Sequence, residues 1–460
     1  MSRRFYAPHL PPQQPSISPP MRPRAALPAV LRNPRFRLLW STGVSSATAE
    51  MSEILVLGWL VLQLTGSPWQ VALAGLCRTG SMFALSLFAG AVGDRVDRRK
   101  VVLASLFLNV LVTSSILALL ASEAIQPWHL FVGAVLRGGS RSFDNTSRRA
   151  LTFHVVGSKN LIQALSLDNI GFSIGRIIGP LTIGILLQVT NTAVSAYSAL
   201  TLLHLTSLTL VLRLRLDDPP STLPKRPVLA SITEGLKFAF STPAIAAVLA
   251  VTVPMNVIFQ YQILVPVVAQ EHLHVGPGLM GLLASADGLG TILGGLAFGA
   301  FGGRIKRHGL LFLFGSIGVC AFLLGFAISP FFALSFAFLF GLGFTQVGFS
   351  TMQSGIMLMA SPASMHSRVL GAQQLAVGLG NNVGGLEIGA LAGALGVTTA
   401  LALNAAVVLG LLALLGLLMP AFRRPLRRID DLPEPAETPG PLITNKPARD
   451  ERAAATIPKV

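Results

Sequence analysis

Gly90 to Lys100 reads GAVGDRVDRRK. Four basic residues, Arg95, Arg98, Arg99 and Lys100, fall within six positions of this stretch. Apolar runs lie on both sides, 69–92 before it and 101–121 after it. A helix needs about 20 apolar residues to cross the hydrocarbon core of a bilayer, and each run meets that length. A short basic connection between two such runs predicts a hairpin of membrane helices turned at the cytoplasmic face, because Lys and Arg collect there.

Working outward, the same unit repeats along the chain. Twelve spans are expected: 38–64, 69–92, 101–121, 128–148, 162–189 and 192–212, then 245–268, 277–302, 310–328, 331–355, 369–394 and 397–419. Of the 460 residues 52% are hydrophobic and only 12% charged, about half the charge of a soluble domain. The formal net charge of +16 would suggest nucleic acid in a soluble protein, but a chain this apolar belongs in lipid. Cys77 and Cys320 both fall in apolar runs and read as small packing residues.

The organisation follows from the spans. Residues 1–37 are read as a Pro- and Arg-rich cytoplasmic tail without structure, and 38–212 as a first six-helix bundle. A cytoplasmic loop covers 213–244, a second bundle 245–419, and a second unstructured tail 420–460. Within the central loop Leu229, Ile232, Leu236 and Phe240 form a short amphipathic stretch, either lying on the membrane surface or serving as a plain linker.

Thirty-one of the 35 Lys and Arg residues fall in the two tails and in alternate connections, and the opposite connections carry none. That pattern puts both termini in the cytoplasm of a cell with a cytoplasmic (inner) membrane. The four exceptions are Arg78, Arg137, Arg141 and Arg176, all inside spans, where a charge is expensive. Acids join them: Glu50 and Glu53 in span 1, Asp287 in span 8 and Glu387 in span 11. A polar cavity between helices needs such groups, whereas a membrane anchor does not.

The Gly90–Lys100 loop resembles the signature loop of the major facilitator superfamily: Gly90, three residues, then Asp94-Arg95 and a basic cluster that includes Arg98 and Arg99. Asp97 stands where many members have Gly. The resemblance implies a cytoplasmic gate in which Arg98 pairs with an acid at the foot of span 4, for which Asp144 is the candidate. A weaker copy, Gly299 to Arg307, follows span 8 at an offset of 209 residues, with Gly303 in place of Asp94. Span 5 carries Gly171, Gly175, Gly179-Pro180 and Gly184, similar to the motif of proton-coupled antiporters in the same superfamily. The outer turn LTGSPWQVALAG, Leu64 to Gly75, is similar to the drug and siderophore exporter branch. The implied fold is all-α, twelve transmembrane helices in two pseudo-symmetric six-helix bundles.

The intramembrane charges are the candidate site. Glu50 and Glu53, spaced i and i+3 near mid-membrane, share a helix face; they lead the candidates for proton coupling, followed by Asp287 and Glu387. Arg137 and Arg141 share a face of span 4. With Arg78 and Arg176 they line an anion-favouring cavity if they face it, and do not if Glu50, Glu53, Asp144 or Asp168 neutralises them. Asn256, Gln260 and Asn381 are candidate hydrogen-bonding groups for a substrate.

No GxxxxGK[ST] occurs, and no spacing of His, Cys, Asp and Glu suggests a metal site or an enzyme. No cofactor is expected, and a proton gradient is the expected energy source. The expected activity is export of a small drug-like or siderophore-like compound by proton antiport and alternating access. The alternatives are an importer or facilitator of organic anions, or a transport-inactive receptor or sensor of the same fold. Expected partners are the bilayer and the small-molecule substrate, without nucleic acid. The chain is read as a monomer, with an outer-membrane channel the candidate export partner.

Overall fold

The computed structural model describes residues 29–93, 96–214, 228–301, 307–362, 365–419 and Phe422. Asp94 and Arg95 of the loop motif, the centre of its second copy and nearly all of the two expected tails lie outside the described residues. Among the described residues every regular element is a helix.

Helix α1 (Pro34–Thr65) begins where the Asn33 side chain accepts hydrogen bonds from the backbone N–H groups of Arg35 and Phe36. Pro34 occupies the first turn, where its missing N–H costs nothing, and Gly66 at φ 59° closes the helix. Helices α2 (Pro68–Gly93) and α3 (Arg98–Ala121) follow. Spans 4 and 5 are two helices that meet at a kink, numbered together as α4 (Pro127–Thr190) because no open connection separates them. The run turns at Gly157, whose φ of 66° only a glycine adopts readily. Helix α5 (Ala193–Arg213) completes six spans.

The amphipathic stretch of the central loop is helix α6 (Val228–Ser241). It packs on the foot of a later helix through an ion pair between Glu234 and Arg368 and through Gly235, which lies against the Arg368 backbone. Six further spans follow: α7 (Pro243–His272), α8 (Pro277–Phe301), α9 (His308–Ile328), α10 (Phe332–Met359), α11 (His366–Leu395) and α12 (Val397–Leu418). The resulting architecture is two pseudo-symmetric six-helix bundles.

Nine helical segments among the described residues are long and apolar enough to cross a membrane. The remaining expected spans are α2, α4 before Gly157, and α11, each helical over a comparable length. Their polar content has a location. The first part of α4 carries Arg137, Arg141, Asp144 and Arg148, and α11 carries Gln373, Gln374, Asn381, Asn382 and Glu387. These helices, with α1 and α7, surround the cavity described below.

Helix α7 is irregular. Pro266 lacks an N–H and crowds the preceding turn, and the backbone passes through a 3-10 stretch at Phe259–Leu264 and a π turn at Val268–His272. Such backbone is tolerated at membrane depth where it lines a cavity.

The two halves meet tightly on the side away from the basic connections. Gly184 of α4 lies on Gly281 of α8; a Cβ on Gly184 would fall 2.6 Å from the Gly281 Cα and 2.7 Å from the Pro277 carbonyl oxygen. The backbone N–H of Gly278 donates to Gln188 at 3.2 Å, and Gln63 donates to Gln270 at 3.0 Å, both across the halves. Gly58 packs on the Ile263 carbonyl, and Trp69 lies over Gly389 and Gly393. Without a hydrophobic drive inside lipid, small residues that let backbones touch are what joins helices.

This seal predicts the effect of Gly281→Leu. The neighbours are backbone atoms that cannot yield, and overpacking costs about 1–3 kcal/mol. The substitution is expected to shift the molecule toward the state open on that side by about tenfold. A single cysteine at Ala284, partly buried inside the seal beside Pro180, should then react correspondingly faster with a membrane-impermeant maleimide applied there.

Candidate functional site: a charged cluster and the cavity beside it

The four intramembrane arginines are all paired. Arg78 of α2 and Arg141 of α4 converge on Glu50 of α1, at 3.5 and 2.8 Å. Arg137 of α4 donates to Glu53 at 2.5 Å, and its other terminal nitrogen lies 2.8 Å from His204 Nε2 on α5. Arg176 of α4 pairs with Asp287 of α8, and also donates to Gln346 of α10 at 3.2 Å.

Glycine makes the first of these groups possible. Gly138 brings α4 directly against the Arg78 backbone of α2, and Gly139 admits the Leu85 side chain. A third helix approaches from the motif in the second part of α4. Gly175 sits on the Ala47–Thr48 backbone, and Gly179 lies 2.7 Å, measured from an ideal Cβ, from the Thr48 carbonyl. Gly171 packs on Val44 and Trp40 of α1, whereas Gly184 faces the other half. The motif's glycines thus hold α1 from behind while its Glu50 face points inward, and Pro180 borders the Asp287 pocket.

Glu50 and Glu53 share a face, as their spacing requires, but differ in exposure. The side chains of Glu53 and Arg137 are only 8% and 5% exposed, against 14% for Glu50 and 20% for Arg141. Glu50 lines a cavity of about 210 Å³ together with Arg78, Phe172, Gln260, Gln262 and Asn381. A larger cavity of about 660 Å³ shares Thr79, Met82 and Asn381 with it and extends toward the basic connections, past Arg141 and Arg149. The path from that side therefore reaches Glu50 before Glu53.

Several expectations change at this level. Asp287 is not among the acids expected to neutralise the arginines, but Arg176 reaches it from the other half. Tyr261 donates to Asp287 at 2.9 Å and Gln262 at 3.2 Å. Asp144 pairs with Arg141 at 3.7 Å and with Arg148 at 3.2 Å on its own helix. Asn256 is buried, bonds the Thr252 carbonyl of its own helix and packs on Gly380, so it is a packing residue. Gln260 and Asn381 do line the cavity, bonded to each other at 3.0 Å. Glu387 is half-buried on α11, apart from both acidic clusters. The arginines face acids, so the anion-favouring lining inferred from bare arginines does not hold for these four.

Three residues escaped the sequence reading. His204 and Gln346 are single polar residues in apolar helices, which carry no periodic signal. Tyr261 becomes a partner of Asp287 only through the irregular turn of α7. Among the described residues no cluster of His, Cys, Asp and Glu could hold a metal ion.

The fold and this cluster are those of a major facilitator superfamily transporter, a multi-pass membrane protein. Residues 25–450 match the family described as transmembrane secretion effector, and the chain belongs to it. The enterobactin exporter EntS of Escherichia coli is 27% identical over 390 residues, covering 81% of this chain and 88% of that protein. Its Citrobacter koseri counterpart is 28% identical over 398 residues, covering 83% and 90%. Among solved structures, the nucleoside transporter NupG matches with a TM-score of 0.67 at 11% identity, covering 85% of this chain and 100% of that one. A bacterial homologue of the lysosomal transporter Spinster, inward-facing and unoccupied, matches with a TM-score of 0.62 at 13% identity, covering 84% and 95%. These two likenesses concern the fold.

The buried pair predicts a stability effect. Glu53→Ala leaves Arg137 without its counter-ion, which costs about 3–5 kcal/mol in a buried site. Adding Arg137→Met removes the stranded charge and should recover most of the loss. Thermal unfolding of the single and double variants in detergent checks both outcomes.

Proposed function

We propose that this protein exports a small organic compound of the siderophore type across the cytoplasmic membrane in exchange for protons, alternating access between its two halves. The observation that carries this reading is Glu50. It is an acid held between two arginines at mid-membrane, on the wall of a cavity continuous with the side of the basic connections. With both termini and these connections in the cytoplasm, the shape is inward-open, with the outer side sealed at Gly184 and Gly281.

A proton and a substrate then compete for the same charged group. Ionised Glu50 accepts hydrogen bonds from the hydroxyl groups of a catechol-bearing substrate, and protonation of Glu50 removes that acceptor and releases the substrate. Substrate release and proton uptake are thereby coupled at one place. The large cavity supports a polar, partly anionic cargo: Arg141, Arg149, Asn145 and Gln374 line it, with Phe83 and Met82 as apolar walls. The relatives named as enterobactin exporters support a catecholate siderophore as the first compound to try. The energy source in this reading is the proton gradient, without a cofactor, and the working unit is the monomer. An outer-membrane channel is the proposed partner for passage beyond the periplasm.

The test is uptake of radiolabelled enterobactin into everted vesicles under an imposed pH gradient, with organic anions and lipophilic cations as competitors. Gradient-dependent uptake is expected, falling at least about tenfold in Glu50→Gln, as for loss of an essential coupling group. Substrate movement that ignores the gradient overturns the antiport reading, and unchanged coupling in Glu50→Gln removes that residue from the site.

A further inference from the structure

His204 is buried to 2% exposure in α5, and the coupling scheme above leaves it without a task. Its tautomer follows from its partner. Arginine has donors and no acceptor, so Nε2 of His204 must accept the 2.8 Å bond from Arg137. The ring proton therefore sits on Nδ1. That atom is buried and has no hydrogen-bond partner among the described residues.

Nδ1 is not alone. His204 lines a small cavity of about 20 Å³ with Ser46, Glu50, Glu53, Asn109 and Asp144, beside the arginines that pair with these acids. Three of those residues also present a buried oxygen without a hydrogen bond: Glu50 Oε2, Asn109 Oδ1 and Asp144 Oδ1. Arg141 lies 2.8 Å from Glu50 Oε2, but not in hydrogen-bonding geometry. The wall thus offers one donor and three acceptors, each costly to leave unmet in a low-dielectric interior. About 10–15 Å³ accommodates one water, which needs two to four polar partners. A water placed among these groups would have His204 Nδ1–H as its donor and, with Glu53 on the same wall, more than two carboxylate or amide oxygens to donate to.

We infer that this cavity is a water site that carries protons between Glu50 and Glu53, and that His204 is its positioning residue. The inference rests on the proton-coupled reading of Glu50 and extends it to Glu53, which the large cavity does not reach. A proton leaving Glu50 passes to the water oxygen while the water gives one of its own protons to the Glu53 carboxylate. Glu50 ends ionised beside Arg78 and Arg141, and Glu53 ends neutral. Arg137 loses its ionic partner in that step and keeps His204 Nε2 as a neutral acceptor, which offsets part of the cost of the uncompensated cation. A proton on His204 itself would set two cations 2.8 Å apart, so the imidazole stays neutral throughout.

The charged groups around the site come from three helices. Helix α1 presents Glu50 and Glu53, α2 presents Arg78, and α4 presents Arg137, Arg141, Asp144 and Arg148. From α5, the buried Tyr197 lies within electrostatic reach of Glu53 and Arg137. Helix α3 contributes Asn109, which is uncharged.

Two infrared measurements on purified full-length protein in liposomes test the site without any substrate. In heavy water, a pH step should give an O–D stretch of a weakly bonded internal water in the wild type and in Asn109→Ser, which leaves room for it. Asn109→Leu fills the cavity and should abolish the band. In the second measurement, the carboxyl C=O band is followed against pH, with Glu50→Gln and Glu53→Gln identifying its components. His204→Met keeps a weak thioether acceptor for Arg137 but has no N–H for the water. It should move the carboxyl titration by about one pH unit or more, a tenfold change in proton affinity. Absence of the band from the wild type, its persistence in Asn109→Leu, or a His204→Met titration identical to the wild type overturns the inference. If either variant fails to fold, the other decides the case. Failure of gradient-driven transport in the wild type would overturn the antiport reading alone, because neither spectrum depends on it.

Discussion

A guanidinium group inside a membrane has to be paired, and in this protein that requirement organises the first bundle. Transfer of an isolated charge to a low-dielectric interior costs several kcal/mol even after relaxation. Arg78, Arg137 and Arg141 each reach an acid on α1, so the register of α1 against α2 and α4 is fixed by charge as well as by shape. The glycines follow from this. Gly138 and Gly175 bring their backbones close enough for side chains of fixed length to meet. A bulkier residue at either place would separate the arginines from Glu50 and Glu53 before it disturbed any apolar contact.

The second bundle is built differently. Its spans are held by Gly and small residues, as at Gly290 against the Phe340 backbone and Gly343 against that of Asp287. Its intramembrane acid is neutralised from the first half by Arg176. Charge pairing and small-residue packing are alternative ways to bring helices together, and the two halves of one duplicated fold use them in different proportion. The asymmetry agrees with the loss of Asp94's counterpart at Gly303 in the second loop copy.

The helices were legible in the sequence because lipid imposes a length and a polarity on each span that few other sequences satisfy. Which charges mattered was legible too: an arginine that the topology rule cannot place, such as Arg137 or Arg176, needs an internal reason. What the sequence could not supply was pairing. Asp287 and Arg176 are 111 residues apart and lie in different bundles, and no periodicity relates them. Asp144, the candidate partner of Arg98, has Arg148 one helical turn away on the same face, a local ion pair that its i, i+4 spacing allows. His204 and Tyr261 carry no pattern at all; their roles arise from what the packing brings opposite them.

The position of the Arg176–Asp287 pair has a mechanical consequence. Gly184 is eight residues beyond Arg176 on α4, roughly 12 Å along the helix, so the pair lies a little over two turns inside the seal between the halves. Any rotation that opens the seal either pivots on the pair or pulls it apart. Separation would treat the two partners unequally. Asp287 keeps Tyr261 and Gln262, both donors from its own half. Arg176 loses Asp287 and Gln346 together, since both belong to the other half. The cation, not the acid, is then the group left wanting a partner when the halves part on that side, and only water or an anion arriving through the opening can meet the need. An arginine that is neutralised in one state and bare in the next is a different object from a permanently positive lining.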